Sequence, residues 1–235
     1  MEKIKISSNT LLSSQQETRL LNKRKILAAA AQEFKLHGFK GASISRMAQI
    51  AKLPRTNIHY YFPNKLDLYG AILTNIIGLW NRAFSDINSN DDPAEAIGNY
   101  IDAKIEYSRT NPTDSIIFAS EILHGAPYLS QYLATDFKQW ITEKSTVIEA
   151  WQAQGKMDNI SAYHLLFTIW GATQHYANFS VEIEAALERP LNKADFDEAK
   201  RTIKHIILKG CGMSFDQHIQ NHGHGHGHDQ SQTKK

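Results

Sequence analysis

The stretch Ile44-Ser45-Arg46-Met47-Ala48-Gln49-Ile50-Ala51-Lys52-Leu53-Pro54-Arg55-Thr56-Asn57-Ile58-His59-Tyr60-Tyr61-Phe62 reads as two short helices joined by a turn. Ser43 stands where an N-cap is wanted, and Ile44, Met47, Ala48 and Ala51 share one helical face. Lys52-Leu53-Pro54 is too short for anything but a turn, and Pro54 suits the start of a helix over Arg55–Tyr61. Ile58 and Phe62, four residues apart, anchor that second helix inward. Arg55, Thr56, Asn57, His59 and Tyr60 are left for its outer faces. A guanidinium and an amide can each bond two atoms of a base edge, while hydroxyl and imidazole groups serve phosphates. A helix, a three-residue turn and a short second helix in a small basic bundle form the helix-turn-helix pattern.

Charge supports this reading. Residues 1–69 carry 12 Lys/Arg against 4 Asp/Glu, and the other 166 carry 14 against 20, so the net +2 hides a basic end and an acidic remainder. The basic end is suited to a polyanion. The same clustering also arises on an ordinary solvated face, so charge alone does not decide.

Outward from that stretch, period-3.6 patterning recurs and no run alternates as a strand does. Helices are predicted over Leu21–Leu36, Ser43–Ala51, Arg55–Tyr61, Lys65–Phe84, Pro93–Thr110, Thr113–His124, Tyr128–Gln154, Ser161–Leu187 and Lys193–Cys211. Gly38 is a candidate left-handed cap for the first of them. The fold class is therefore all-α. It divides into an arm at 1–18, a three-helix DNA-binding domain at 19–66, a larger helical domain at 67–213, and a His/Gly-rich tail at 214–235. The most apolar run, Ala71–Trp80, is too short to span a membrane, and the N-terminus lacks the apolar core of a secretory signal. The single cysteine, Cys211, forms no intramolecular disulfide and argues against a zinc-thiolate centre. A cytoplasmic protein is expected.

In the larger domain, Trp170 and Gln174 are one turn apart and share a helix face. An indole beside an amide suits a planar ligand with donors and acceptors. The alternative is a core tryptophan with an amide bonded to backbone or to a second subunit, and both remain open on these residues alone. His222, His224, His226 and His228 alternate with glycine in the tail. A polar tail or a purification tag accounts for them more simply than a metal site does, and no metal is expected in the folded core. No phosphate-binding glycine loop, carboxylate cluster or nucleophile motif is present; only Glu121 with His124 offers acid/base chemistry, so no enzyme, catalytic residue or cofactor is expected.

The run from Ile44 to Lys65, closing on Tyr60-Tyr61-Phe62-Pro63-Asn64-Lys65, together with Ala30, Phe34, Gly38-Phe39 and Leu68-Tyr69, resembles the TetR family of regulators. The resemblance implies a TetR-like fold and a homodimer on double-stranded operator DNA. Position by position, it implies base contacts from Arg55 and Thr56, with Asn57 beside them. It implies phosphate contacts from His59, Tyr61 and Lys65, and from Ser43 with Ser45 or Arg46; Tyr60 and Tyr61 are equally suited to packing. Two departures stand out. Lys52-Leu53 occupies the usual Gly-Val of the turn, and Pro54 replaces a common Ser. Further on, Glu121–Leu129, Lys138–Lys156 and Trp170–Phe179 are similar to the pyrimidine-utilisation (Rut) branch of the family. That similarity implies uracil or thymine as effector, bound by Trp170 and Gln174, with Trp80, Tyr107, Phe118 and Glu121 as further candidates. It also implies an intersubunit bundle formed by the last two long helices, with Ala172, Ala185, Ala186, Ile203, Ile206 and Ile207 suited to close packing.

Overall fold

The computed structural model describes residues 14–213, so the His/Gly tail and most of the 1–18 arm lie outside the described residues. Helix α1 (Ser14–Gly41) starts seven residues before the expected Leu21, which makes the end of the arm helical. Apolar periodicity could not reveal those turns, because Leu20 and Leu21 are themselves exposed. Near its other end α1 breaks at Gly38, whose φ of 62° and ψ of 178° suit glycine and not the left-handed helical well.

The short helices lie where the periodicity put them, at α2 (Ile44–Ala51) and α3 (Arg55–Tyr61). Met47, Ala48 and Ala51 of α2 and Ile58 of α3 are buried, and Phe62 closes the base. Between the helices Lys52 adopts the left-handed conformation (φ 54°, ψ 43°) that glycine takes freely. Its amide bonds Gln49 O and the Leu53 amide bonds Ala48 O, which together end α2. The turn keeps its geometry without glycine, at a cost of about 1 kcal/mol.

α4 (Lys65–Arg82) begins at an Asn64 cap whose side chain accepts from the Asp67 amide. Its first half packs Leu68, Tyr69, Ile72 and Leu73 into the core of the head. Its second half runs on to Trp80, about 22 Å away at 1.5 Å per residue. α5 (Pro93–Thr110), α6 (Pro112–Leu123), α8 (Lys138–Ala153), α9 (Ala162–Asn178) and α11 (Lys193–Gly210) build the larger bundle around Ile101, Ile105, Trp151, Leu166 and Ile169.

Two predicted helices prove composite. The 128–154 segment comprises α7 (Ser130–Tyr132), a π-helical turn at Leu133–Phe137, and α8. The 161–187 segment breaks at Phe179 (φ −124°, ψ 29°) into α9 and α10 (Ser180–Leu187). No proline or glycine marks that break; Ser115 Oγ donates to Asn178 Oδ1 there (3.1 Å), tying the end of α9 to α6. Packing also corrects the expected dimer residues. Ile203 and Ile207 share the inward face of α11 and are buried in their own core, whereas Ile206 is 63% exposed. Tyr163 and Phe167 of α9 and Val181 of α10 are exposed as well. No strand occurs among the described residues, and none of their helices is long and apolar enough to cross a membrane.

Candidate DNA-reading head and effector cavity

Glu33 sets the geometry of the reading head. It sits on the buried side of α1 with 2% of its surface exposed. Its carboxylate accepts from the Ser43 amide (2.9 Å) and from Arg46 Nε (2.7 Å), which fixes where α2 starts. Burial alone would raise the Glu33 carboxyl, but the Arg46 and Ser43 hydrogen bonds and the Arg46 charge together hold it below its ordinary range. Ser43 therefore anchors α2 through its backbone, and its hydroxyl makes no cap. Arg46 is engaged internally, bonding Glu33 and the Gly41 carbonyl (2.6 Å).

With α2 braced, α3 presents Arg55, Thr56, His59 and Tyr60 to solvent, and Tyr60 is 70% exposed. Asn57 and Tyr61 are half-buried at the edges of that surface, and Ser45 is exposed on α2. The Tyr60 and Tyr61 rings meet edge to face at 5.1 Å, so this pair both packs and faces outward. His59 Nδ1 lies 3.2 Å from Pro63 O. Lys65 donates to Ala42 O (3.0 Å) and Lys40 O (3.3 Å), with its ammonium 4.8 Å from the centre of the Phe39 ring. It thus ties the start of α4 to the α1–α2 turn and has one more ammonium N–H than these two carbonyls use.

A separate cavity of about 340 Å³ lies between α4, α5, α6, α8 and α9. Four of the six expected residues line it: Trp80, Phe118, Trp170 and Gln174. Trp80 and Phe118 meet edge to face at 4.7 Å. Tyr107 and Glu121 do not line it, for reasons of helical phase. On α5 the inward stripe is Tyr100, Lys104 and Ser108, at four-residue spacing, and Tyr107 lies beside it. On α6 the inward pair is Phe118 and Ile122; Glu121 shares the other face with Ile117.

Sequence reading missed the most unusual group in the cavity. Lys104 is 1% exposed, and its Nζ lies 3.8 Å from the centre of the Trp80 ring. Among the described residues it has no carboxylate partner. The Trp80 face favours the charged amine by about 2 kcal/mol. Burial opposes this and wins, pushing the Lys104 ammonium well below the ordinary lysine range. Trp140 Nε1, also in the lining residues, is a buried donor without a partner. Trp170 Nε1 donates to Tyr100 OH (2.7 Å), and burial raises that phenol. The cavity is thus a slot of aromatic faces whose lining residues also include Lys104 and Gln174. Its volume is at the lower end of the range for small-molecule pockets. The signal in the sequence was a lysine inside the apolar stripe of Ile97, Ile101 and Ile105. No group of three His, Cys, Asp or Glu among the described residues could hold a metal.

Residues 26–72 match the family described as bacterial regulatory proteins, tetR family, and residues 73–214 match the YcdC-like protein C-terminal region. The chain is 38% identical over 189 residues to the HTH-type transcriptional regulator RutR of Escherichia coli K12, covering 80% of this chain and 89% of that protein. It is 30% identical over 148 residues to the HTH-type transcriptional repressor NicS of Pseudomonas putida, covering 61% and 70%. Among solved structures, the TetR family regulator PfmR of Thermus thermophilus superposes with a TM-score of 0.59 at 17% identity, covering 78% of this chain and 97% of that one. AibR in complex with isovaleryl coenzyme A and operator DNA gives 0.58 at 16%, covering 79% and 97%. A buried brace, an exposed reading helix and an internal cavity thus occur in a chain matched along both halves. The chain belongs to the TetR family, and is a homodimeric DNA-binding regulator of transcription, not an enzyme.

Proposed function

We propose that the protein is a repressor that releases its operator when uracil or thymine fills the α4–α9 cavity, in the control of pyrimidine catabolism or nitrogen supply. The observation that carries this reading is the pairing of unused donors with aromatic walls. Uracil is planar, offers two carbonyl acceptors to Lys104 and Trp140, and presents an N–H beside a C=O to the Gln174 amide. The resemblance to the pyrimidine-utilisation branch supports it independently. Arg55 and Thr56 are the proposed base readers, with phosphates held by His59, Tyr61 and Lys65 and by Ser43 with Ser45. Asn57 and Tyr60 flank the readers. The exposed apolar face of α9, α10 and α11 is the proposed seat of the second copy. Effector binding shifts the equilibrium only by its preference for the form that does not hold DNA.

Calorimetric titration of the dimer with uracil, thymine, cytosine and a purine tests the sensor. Uracil or thymine should saturate one site per chain, and Gln174→Ala should weaken binding about tenfold or more, as loss of paired hydrogen bonds in a buried site would. Binding of cytosine and purine at equal strength would end the pyrimidine assignment. On the DNA side, Arg55→Ala should relax operator preference at one base position, costing about 1–3 kcal/mol there. An operator preference unchanged in that variant would move the base reader elsewhere.

A further inference from the structure

A second cavity, of about 490 Å³, opens between the kink of α1 and the face of α6 turned away from the effector cavity. Its chemistry differs from the first. Phe34, Phe39, Tyr69 and Tyr128 form a continuous cluster, with ring centres 4.4 to 6.1 Å apart. Among them Glu121 is 4% exposed. Its carboxylate accepts from Tyr69 OH (3.1 Å) and the Tyr128 amide (2.6 Å), both neutral donors. Among the described residues it has no cationic partner. Each oxygen has used one of its two acceptor sites. Burial, and then the Glu121 charge, push the Tyr69 phenol up, as expected beside an uncompensated carboxylate. His37, Lys40 and His124 also line the cavity and are exposed to solvent.

A buried carboxylate without a counter-charge, ringed by aromatic side chains, is complementary to an organic cation. We propose that the junction between reading head and core holds a second binding site, for a small organic ammonium, distinct from the effector cavity. The ammonium sits against Glu121 and its alkyl or aryl part against the four rings. Phe34 and Phe39 belong to the head, and Glu121 to the core, so an occupant bridges the two bodies whose relative position sets operator affinity. The site stands whatever molecule the effector cavity takes.

The test is calorimetry on the full-length dimer with benzylamine, and with benzyl alcohol as its uncharged counterpart. Benzylamine should bind saturably and at least tenfold more tightly than the alcohol, and saturating uracil should not displace it. Glu121→Gln keeps one carbonyl oxygen to accept from the Tyr128 amide, and its NH2 can donate to the Tyr69 oxygen in place of the acceptor lost there. It should weaken benzylamine at least tenfold, while Gln174→Ala should not. The amine–alcohol comparison on the unmodified protein stands even if Glu121→Gln fails to fold. Failure of benzylamine to bind, equal binding of the alcohol, displacement by uracil, or undiminished binding by a folded Glu121→Gln would each overturn the proposal.

Discussion

Lys104→Met is expected to make the protein more stable and less responsive. Methionine matches the length of the aliphatic stem and removes a buried amine that has no carboxylate partner. Its removal should raise unfolding free energy by about 1–3 kcal/mol at neutral pH. Because the folded state holds this amine with fewer protons than the unfolded state does, the stability of the native protein rises with pH toward the ordinary lysine range. The advantage of Lys104→Met should therefore shrink as pH climbs. Effector affinity should move the other way, falling about ten- to a hundredfold with the loss of a hydrogen-bond donor in a dry site. Thermal unfolding across a pH series and uracil calorimetry on the same samples check both arms. A variant that is less stable than the native chain would show that Lys104 has a native partner worth more than its burial costs. One that binds uracil unchanged would take Lys104 out of effector recognition.

Glu33→Ala is expected to disable the reading head while leaving the effector cavity intact. It strips two hydrogen bonds and an ion pair from the start of α2 and leaves Arg46 without its carboxylate. A loss of about 2–4 kcal/mol follows from breaking so well buried a carboxylate network. Operator affinity should fall at least tenfold, and uracil binding should stay within about twofold. The folded-state pKa of Glu33 is lowered, so its contribution is complete above the ordinary carboxylate range and is lost as pH falls through the lowered value. Acid unfolding of the native head should accordingly begin at lower pH than in Glu33→Gln. Urea unfolding and operator titration would sink the idea if Glu33→Ala retained both.

The helix-turn-helix was legible because each of its elements carries a local signal. Apolar spacing fixes α2 and α3, Pro54 marks the turn, and Ile58 with Phe62 orients the reading face. The roles of Ser43 and Arg46 were not legible, because both depend on Glu33, ten or more residues away. Trp80, Phe118, Trp170 and Gln174 could be proposed from residue type and resemblance. Lys104 could not, since a lysine in a helix ordinarily reads as solvent-facing; only its position inside the stripe of Ile97, Ile101 and Ile105 betrays it. The break at Phe179 and the π-helical turn at Leu133–Phe137 are tertiary in origin, without proline or glycine to announce them.

α6 turns a different stripe of side chains to each of two cavities. Phe118 and Ile122 line the cavity shared with α4, α5, α8 and α9, while Ile117 and Glu121, one residue earlier in each case, line the one that faces the head. Substitution along one of these stripes therefore alters the lining of one cavity and leaves every lining residue of the other in place.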